Sequence, residues 1–238
     1  MKKLITFSLW GDDPLYLEGA CKNAELAQEI YPDWICRFYV AGKNTPRETI
    51  DRLESYPNTE VVVLNEEGTH NFTMSRFTAC DDEDVECFIS RDADSRLSVR
   101  EKEAVDEWME SDKSFHIMRD HPYHTVAIMA GMWGMKRGAM LGMKTKIENF
   151  IRGGYYADKK GVDQAFLWGI VWPLAMEDNL THDPFYTENA PFPTPERDSE
   201  ALVYFIGEAV RADDTLWSQS DRDALNKREY NGVEQNEN

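Results

Sequence analysis

The sequence predicts a single α/β domain in which a mixed, mostly parallel sheet is flanked by helices. Three observations predict it. Short apolar runs of strand length recur through the first hundred residues, amphipathic stretches with three- and four-residue spacing separate them, and 238 residues leave room for one sizeable core.

Residues 3–10 read as a buried strand. From Pro14 to Ile30 the positions Leu17, Ala20, Cys21, Ala24, Ala27 and Ile30 fall on one helical face, and Pro14 suits a first turn. Residues 34–41 form a second strand, 46–55 a second helix and 60–64 a third strand. Residues 86–90 form a short fourth strand that ends at Arg91. Leu97, Val105, Trp108 and Met109 then mark a helix face. Beyond it, 115–118 and 127–135 read as strands, and a helix opens at Gly161. After Pro173 the prolines crowd (Pro184, Pro191, Pro193, Pro195), which predicts an irregular wrap. Residues 1–210 form the domain on this reading. Residues 211–238 form a polar tail, frayed or helical, with no core role.

Composition narrows the functions. With 44 acidic and 26 basic residues the net charge is −18, which argues against a nucleic-acid backbone or an anionic membrane surface as partner. The same field opposes a phosphorylated substrate unless a divalent cation bridges it. The opening apolar run is too short for a membrane span or a signal peptide's core, so a cytoplasmic protein is expected. The four cysteines have no metal-ligand spacing and read as buried thiols. Asn71 and Asn179 stand in glycosylation sequons that read as chance.

The motif that carries chemistry is Asp92-Ala93-Asp94. Asp82/Asp84 and Asp221/Asp223 share its spacing, but only Asp92 and Asp94 directly follow an apolar strand, at the end where open α/β sheets bind ligands. Two carboxylates on a tight turn suit Mg²⁺ or Mn²⁺ and leave coordination positions for phosphate oxygens. Three alternatives share these residues. Asp94 and Ser95 could cap the next helix. Asp92 could be the nucleophile of a haloacid-dehalogenase-type phosphatase, with Asp213-Asp214 as its later acidic motif. The pair could also serve a non-catalytic nucleotide-sugar binding module.

The downstream pieces resemble the GT-A glycosyltransferases. The run 88–97 is similar to their strand-terminal Asp-x-Asp motif. The run 128–134 resembles the Asn-Ala-Gly strand of glycogenin-like members, with Met129 where Asn is usual. The run 161–167 resembles their Asp-Gln-x-x-Leu helix start, and Thr181-His182-Asp183 falls where they place a late metal-binding histidine. The block 91–135 is similar to small viral and bacterial glycosyltransferases. The resemblance implies transfer of a sugar from a nucleoside-diphosphate sugar (uridine or another base) to a glycan acceptor. Asp94, Asp92 and His182 would hold Mn²⁺ or Mg²⁺. Thr6, Phe7 and Ser8 would frame the base, with Phe7 plain core otherwise. Arg76 and Arg91 would meet phosphate or sugar, the former by its planar fork, and Ala130, Gly131 and Gln164 would line the donor. Asp163 is the candidate carboxylate near the reacting carbon, or else an N-cap. His121 and His124 are candidate general bases on the acceptor side. Trp133 would stack on a sugar or sit in the core. Retention and inversion both stay open.

Overall fold

The computed structural model describes residues 1–154, 156–186 and 189–236, with backbone alone for 228–236. One seven-stranded sheet runs through the molecule in the order β3-β2-β1-β4-β6-β5-β7. The strands are β1 (Lys2–Leu9), β2 (Ile35–Ala41), β3 (Thr59–Leu64), β4 (Val85–Ser90), β5 (Phe115–Met118), β6 (Trp133–Lys136) and β7 (Asn179–His182). The pairs β1–β2, β2–β3, β1–β4 and β5–β7 are parallel, while β6 runs antiparallel between β4 and β5.

Alternation along the strands builds two cores. On β1, Ile5, Phe7 and Leu9 face one layer and Leu4 the other. On β4, Cys87 and Ile89 oppose Phe88 in the same way. The first layer is closed by α1 (Pro14–Ile30), α2 (Arg47–Glu54) and α3 (Val99–Glu110). The second is closed by a 3₁₀ helix (His70–Asp81), by α4 (Met143–Gly153), and by α5 (Val162–Phe166), which runs through a π turn (Leu167–Val171) into α6 (Trp172–Ala175). Pro173 accounts for the π turn. It has no N–H for the carbonyl of Gly169, and its ring would crowd that carbonyl in a regular helix.

Each predicted element of the first 118 residues is present within a residue or two. Later elements differ. The strand expected over 127–135 is confined to Trp133–Lys136, because the backbone of Ile128 and Ala130 bonds to the Gln164 side chain instead of a neighbouring strand. β7 lies inside the stretch expected to be irregular, and α4 and the 3₁₀ helix carried no prediction. The tail forms α7 (Gln219–Asn236), residues 237 and 238 lying outside the described residues. Its first part does have a core role. Leu225 is fully buried, and Arg222 forms a two-point ion pair with buried Glu208 at 2.6 and 2.9 Å. All four cysteines are buried and free, and no described helix is long and apolar enough to cross a membrane.

Candidate active site

A cavity of about 550 Å³ opens at the carboxyl ends of β1 and β4. It forms there because parallel strands end together and the loops that follow them diverge. The Asp92-Ala93-Asp94 turn makes its floor. Ser98, not Asp94 or Ser95, caps α3 by accepting from the Glu101 amide at 3.3 Å, so the carboxylates are free of helix capping. Gly19 of α1 sets the height of the turn. A Cβ on it would stand 1.9 Å from the Ala93 carbonyl oxygen, so only glycine lets α1 press against the triplet.

Asp92 is held from two sides. Arg76, buried on the 3₁₀ helix, donates to its Oδ1 at 2.5 Å and to the Arg91 carbonyl at 2.6 Å. Gly131 backs the other side, where a Cβ would fall 2.1 Å from Oδ2. Arg76 also reaches Asp163 at 3.4 Å, which links the triplet to α5. Ser8 locks the 3₁₀ helix in place, donating to the Thr73 carbonyl (3.0 Å) and accepting from the Arg76 amide (3.1 Å). Gln164 accepts from the Ala130 amide at 2.6 Å and donates to the Ile128 carbonyl at 2.7 Å, so one side chain fixes the irregular segment that carries Gly131. Asp163 is not an N-cap. Gly161 holds that position, and Asp163 lines the cavity with Oδ1 accepting from the Gln164 amide.

Burial, and next the charge of Asp92, raise the Asp94 carboxyl to about 6. Two carboxylates held close in a half-buried turn resist joint ionisation, and a bound cation relieves that repulsion. The donor set fits a hard divalent ion held by two carboxylates, with water and phosphate oxygens completing the shell. No group of three or more His, Cys, Asp or Glu side chains suited to a metal is found among the described residues.

Several expected site residues lie elsewhere. His182 is fully buried on β7, three strands from β4 and so roughly 14 Å across the sheet. Its Nδ1 is 2.9 Å from His116 Nε2 and its Nε2 3.4 Å from Glu107, so it is a core residue and not a third ligand. Thr6 and Phe7 are also interior. Thr6 donates to the Ile89 carbonyl and Phe7 stacks on Phe38 at 4.9 Å, while the cavity wall begins at Ser8 and continues through Trp10, Gly11 and Tyr16. Arg91 touches the cavity, but its guanidinium is buried, with Nε donating to buried Glu101 at 3.0 Å and Nη1 to the Ser90 carbonyl at 2.9 Å; Glu101 also accepts from Tyr31. Trp133 is core, edge-on to Phe77 and Phe88.

His121 is no base. It is buried, Nδ1 accepts from the Tyr123 amide, and Nε2 therefore donates to the Asp221 carbonyl at 2.8 Å. His124 does line the cavity, but its Nδ1 accepts from the Asp120 amide, which leaves Nε2–H as a donor. Burial, then the neighbouring His121, lower it to about 4, so it is neutral near pH 7. The later acidic motif of a phosphatase is also missing. Asp214 pairs with Arg96 (2.9 Å) and Lys22, and Asp213 closes a turn on Thr215.

No family model matches this sequence, and no curated protein is similar to it. Solved structures are similar in fold. A mannosyltransferase from Pyrobaculum calidifontis, in complex with GDP-Man and Mn²⁺, superposes with a TM-score of 0.51 and 15% identity over 77% of this chain and 55% of that one. The glycosyltransferase GlyE of Streptococcus pneumoniae superposes with a TM-score of 0.50 and 14% identity over 79% of this chain and 47% of the other. The chain thus spans about half the length of each. Together with the sheet order, these likenesses establish that the chain has the GT-A fold.

Proposed function

We propose that this protein is a metal-dependent glycosyltransferase that moves a sugar from a nucleoside-diphosphate sugar to a glycan acceptor. One observation carries the proposal. In a GT-A fold, a pair of carboxylates sits at the end of β4 on a cavity floor, with Asp92 clamped between Arg76 and Gly131 and Asp163 facing it across the same guanidinium. The sugar-transferring neighbours, one of them solved with GDP-Man and Mn²⁺, support the class of reaction.

Asp94 and Asp92 would hold Mn²⁺ or Mg²⁺, which when bound acts as a Lewis acid on the departing diphosphate, an effect of several kcal/mol. Arg76 fixes the Asp92 carboxylate and spreads positive charge between it and Asp163. Gln164 holds Ala130 and Gly131 as the wall behind the donor sugar. His124 offers an Nε2–H bond to a donor or acceptor hydroxyl. Asp163 is the carboxylate assigned to the reacting centre, where it takes the acceptor proton or stabilises charge at the anomeric carbon.

Turnover tests the reading. A panel of nucleotide-sugars with Mn²⁺ should include one donor from which nucleoside diphosphate is released, faster when an acceptor glycan is present. Asp163→Asn should lower kcat by about 100-fold or more while the diphosphate Kd stays within about threefold. Tight binding of a nucleotide-sugar that stays intact for hours would instead indicate a binding module.

A further inference from the structure

The charges that line the cavity are unevenly committed. Of its four Arg and Lys side chains, Arg76 pairs with Asp92 and Asp163, Arg91 with Glu101, and Arg96 with Asp214. Lys160 is the one cavity-lining Arg or Lys without an ion pair among the described residues. It sits just before Gly161, whose positive φ of 87° turns the chain into α5 and so places the lysine on the same wall as Asp163 and Gln164. An exposed lysine on the wall of this cavity has no ion-pair partner among the described residues, yet a diphosphate would supply one.

We infer that Lys160 is a diphosphate-binding residue, its ammonium taking the phosphate oxygen that the cation held by Asp92 and Asp94 leaves uncovered. The departing nucleoside diphosphate carries one negative charge more than the donor it leaves, which a divalent ion already shared with Asp92 and Asp94 does not neutralise, and the chain's net charge of −18 makes a second local cation valuable there. A lysine acts as a compact point charge on phosphate without the fixed geometry of an arginine fork. The inference rests on the donor-site reading above and adds a residue that no motif singled out.

The test compares nucleoside diphosphates with the matching monophosphates by calorimetric titration, in Mn²⁺, on wild type, Lys160→Met and Lys160→Arg. Lys160→Met should weaken the diphosphate by about tenfold or more and the monophosphate by less than threefold, with Lys160→Arg restoring most of the difference. Thermal midpoints should coincide, because the side chain is exposed. Equal losses for both nucleotides would reduce Lys160 to a general counter-charge for Asp94 and overturn the assignment. No loss would overturn it too, while leaving the donor site standing. If wild type binds no diphosphate in the presence of metal, the donor-site reading itself falls, and the lysine's role falls with it.

Discussion

The two halves of the molecule are held together in different ways. Residues up to α3 form a parallel sheet with apolar side chains on both faces, and among the described residues its ion pairs, apart from buried Arg91–Glu101, reach the surface on at least one side. Beyond β5, buried charges do the holding. Asp120, fully buried, accepts from Arg100 (3.0 and 3.1 Å), from Arg197 (2.6 Å) and from the Ile206 amide (3.0 Å). Asp183 accepts from Arg119 at 2.7 Å, and Glu208 from Arg222. Where the chain lacks strand ladders and helices to satisfy its backbone, ionised side chains take that role and fix the path of the loops. The candidate site lies on the seam. The first half supplies Arg76, Asp92 and Asp94, and the second supplies Gly131, Asp163 and Gln164.

Breaking the second half at its ion cluster should have the largest effect. Asp120→Ala leaves two guanidinium groups without their buried carboxylate, at a cost of about 3–5 kcal/mol. The thermal midpoint should fall by on the order of 10 °C. A comparable deletion at the rim of the first half, Glu18→Ala, should cost less than about 1 kcal/mol.

The seam is tested next by Gly131→Ala. Its methyl group would occupy the place of the Asp92 carboxylate, so metal-dependent nucleotide binding should drop by about 100-fold while stability falls by roughly 1–3 kcal/mol, as overpacking does. Gln164→Ala should cost about 1–3 kcal/mol, because it leaves the Ala130 amide and the Ile128 carbonyl without partners. Faster amide exchange confined to 128–131 would locate that effect.

The smallest effect sharpens the comparison at the carboxylate pair. Asp94 has a folded value of about 6, above its ordinary 3.8, so its contribution to stability is complete below about pH 4 and is lost as pH rises through 6. Metal-free Asp94→Asn should therefore melt a few degrees above wild type at pH 8 and level with it at pH 4. Midpoints at the two pH values check this.

How much was legible in the sequence follows the same division. The first half announces itself because strands buried on both faces and amphipathic helices leave periodic traces, and Asp92 and Asp94 stand out by following such a strand. A strand buried on both faces does not say where the cavity begins, which is why the expected run includes Thr6 and Phe7 while the cavity wall begins at Ser8. His182 and His121 looked available only because a histidine in a polar stretch carries no mark of its burial. β7 adds a strand to the sheet edge through Asn179-Leu180-Thr181-His182, whose single apolar residue leaves no strand pattern. The part of Gly19 is a tertiary contact between α1 and the triplet, and nothing local to residue 19 signals it. Gln164 and Asp163 were legible as a motif, yet the clasp on 128–130 depends on a loop that looked like strand.

The most direct test of the central claim is calorimetric titration of the nucleoside diphosphates into wild type and Asp94→Ala, each with Mn²⁺ and with chelator. The account predicts that one diphosphate binds wild type in Mn²⁺ and loses at least about tenfold in affinity both on chelation and in the variant, with no further loss when the two are combined. Binding that ignores metal and Asp94 alike, or no binding across the panel, would contradict it.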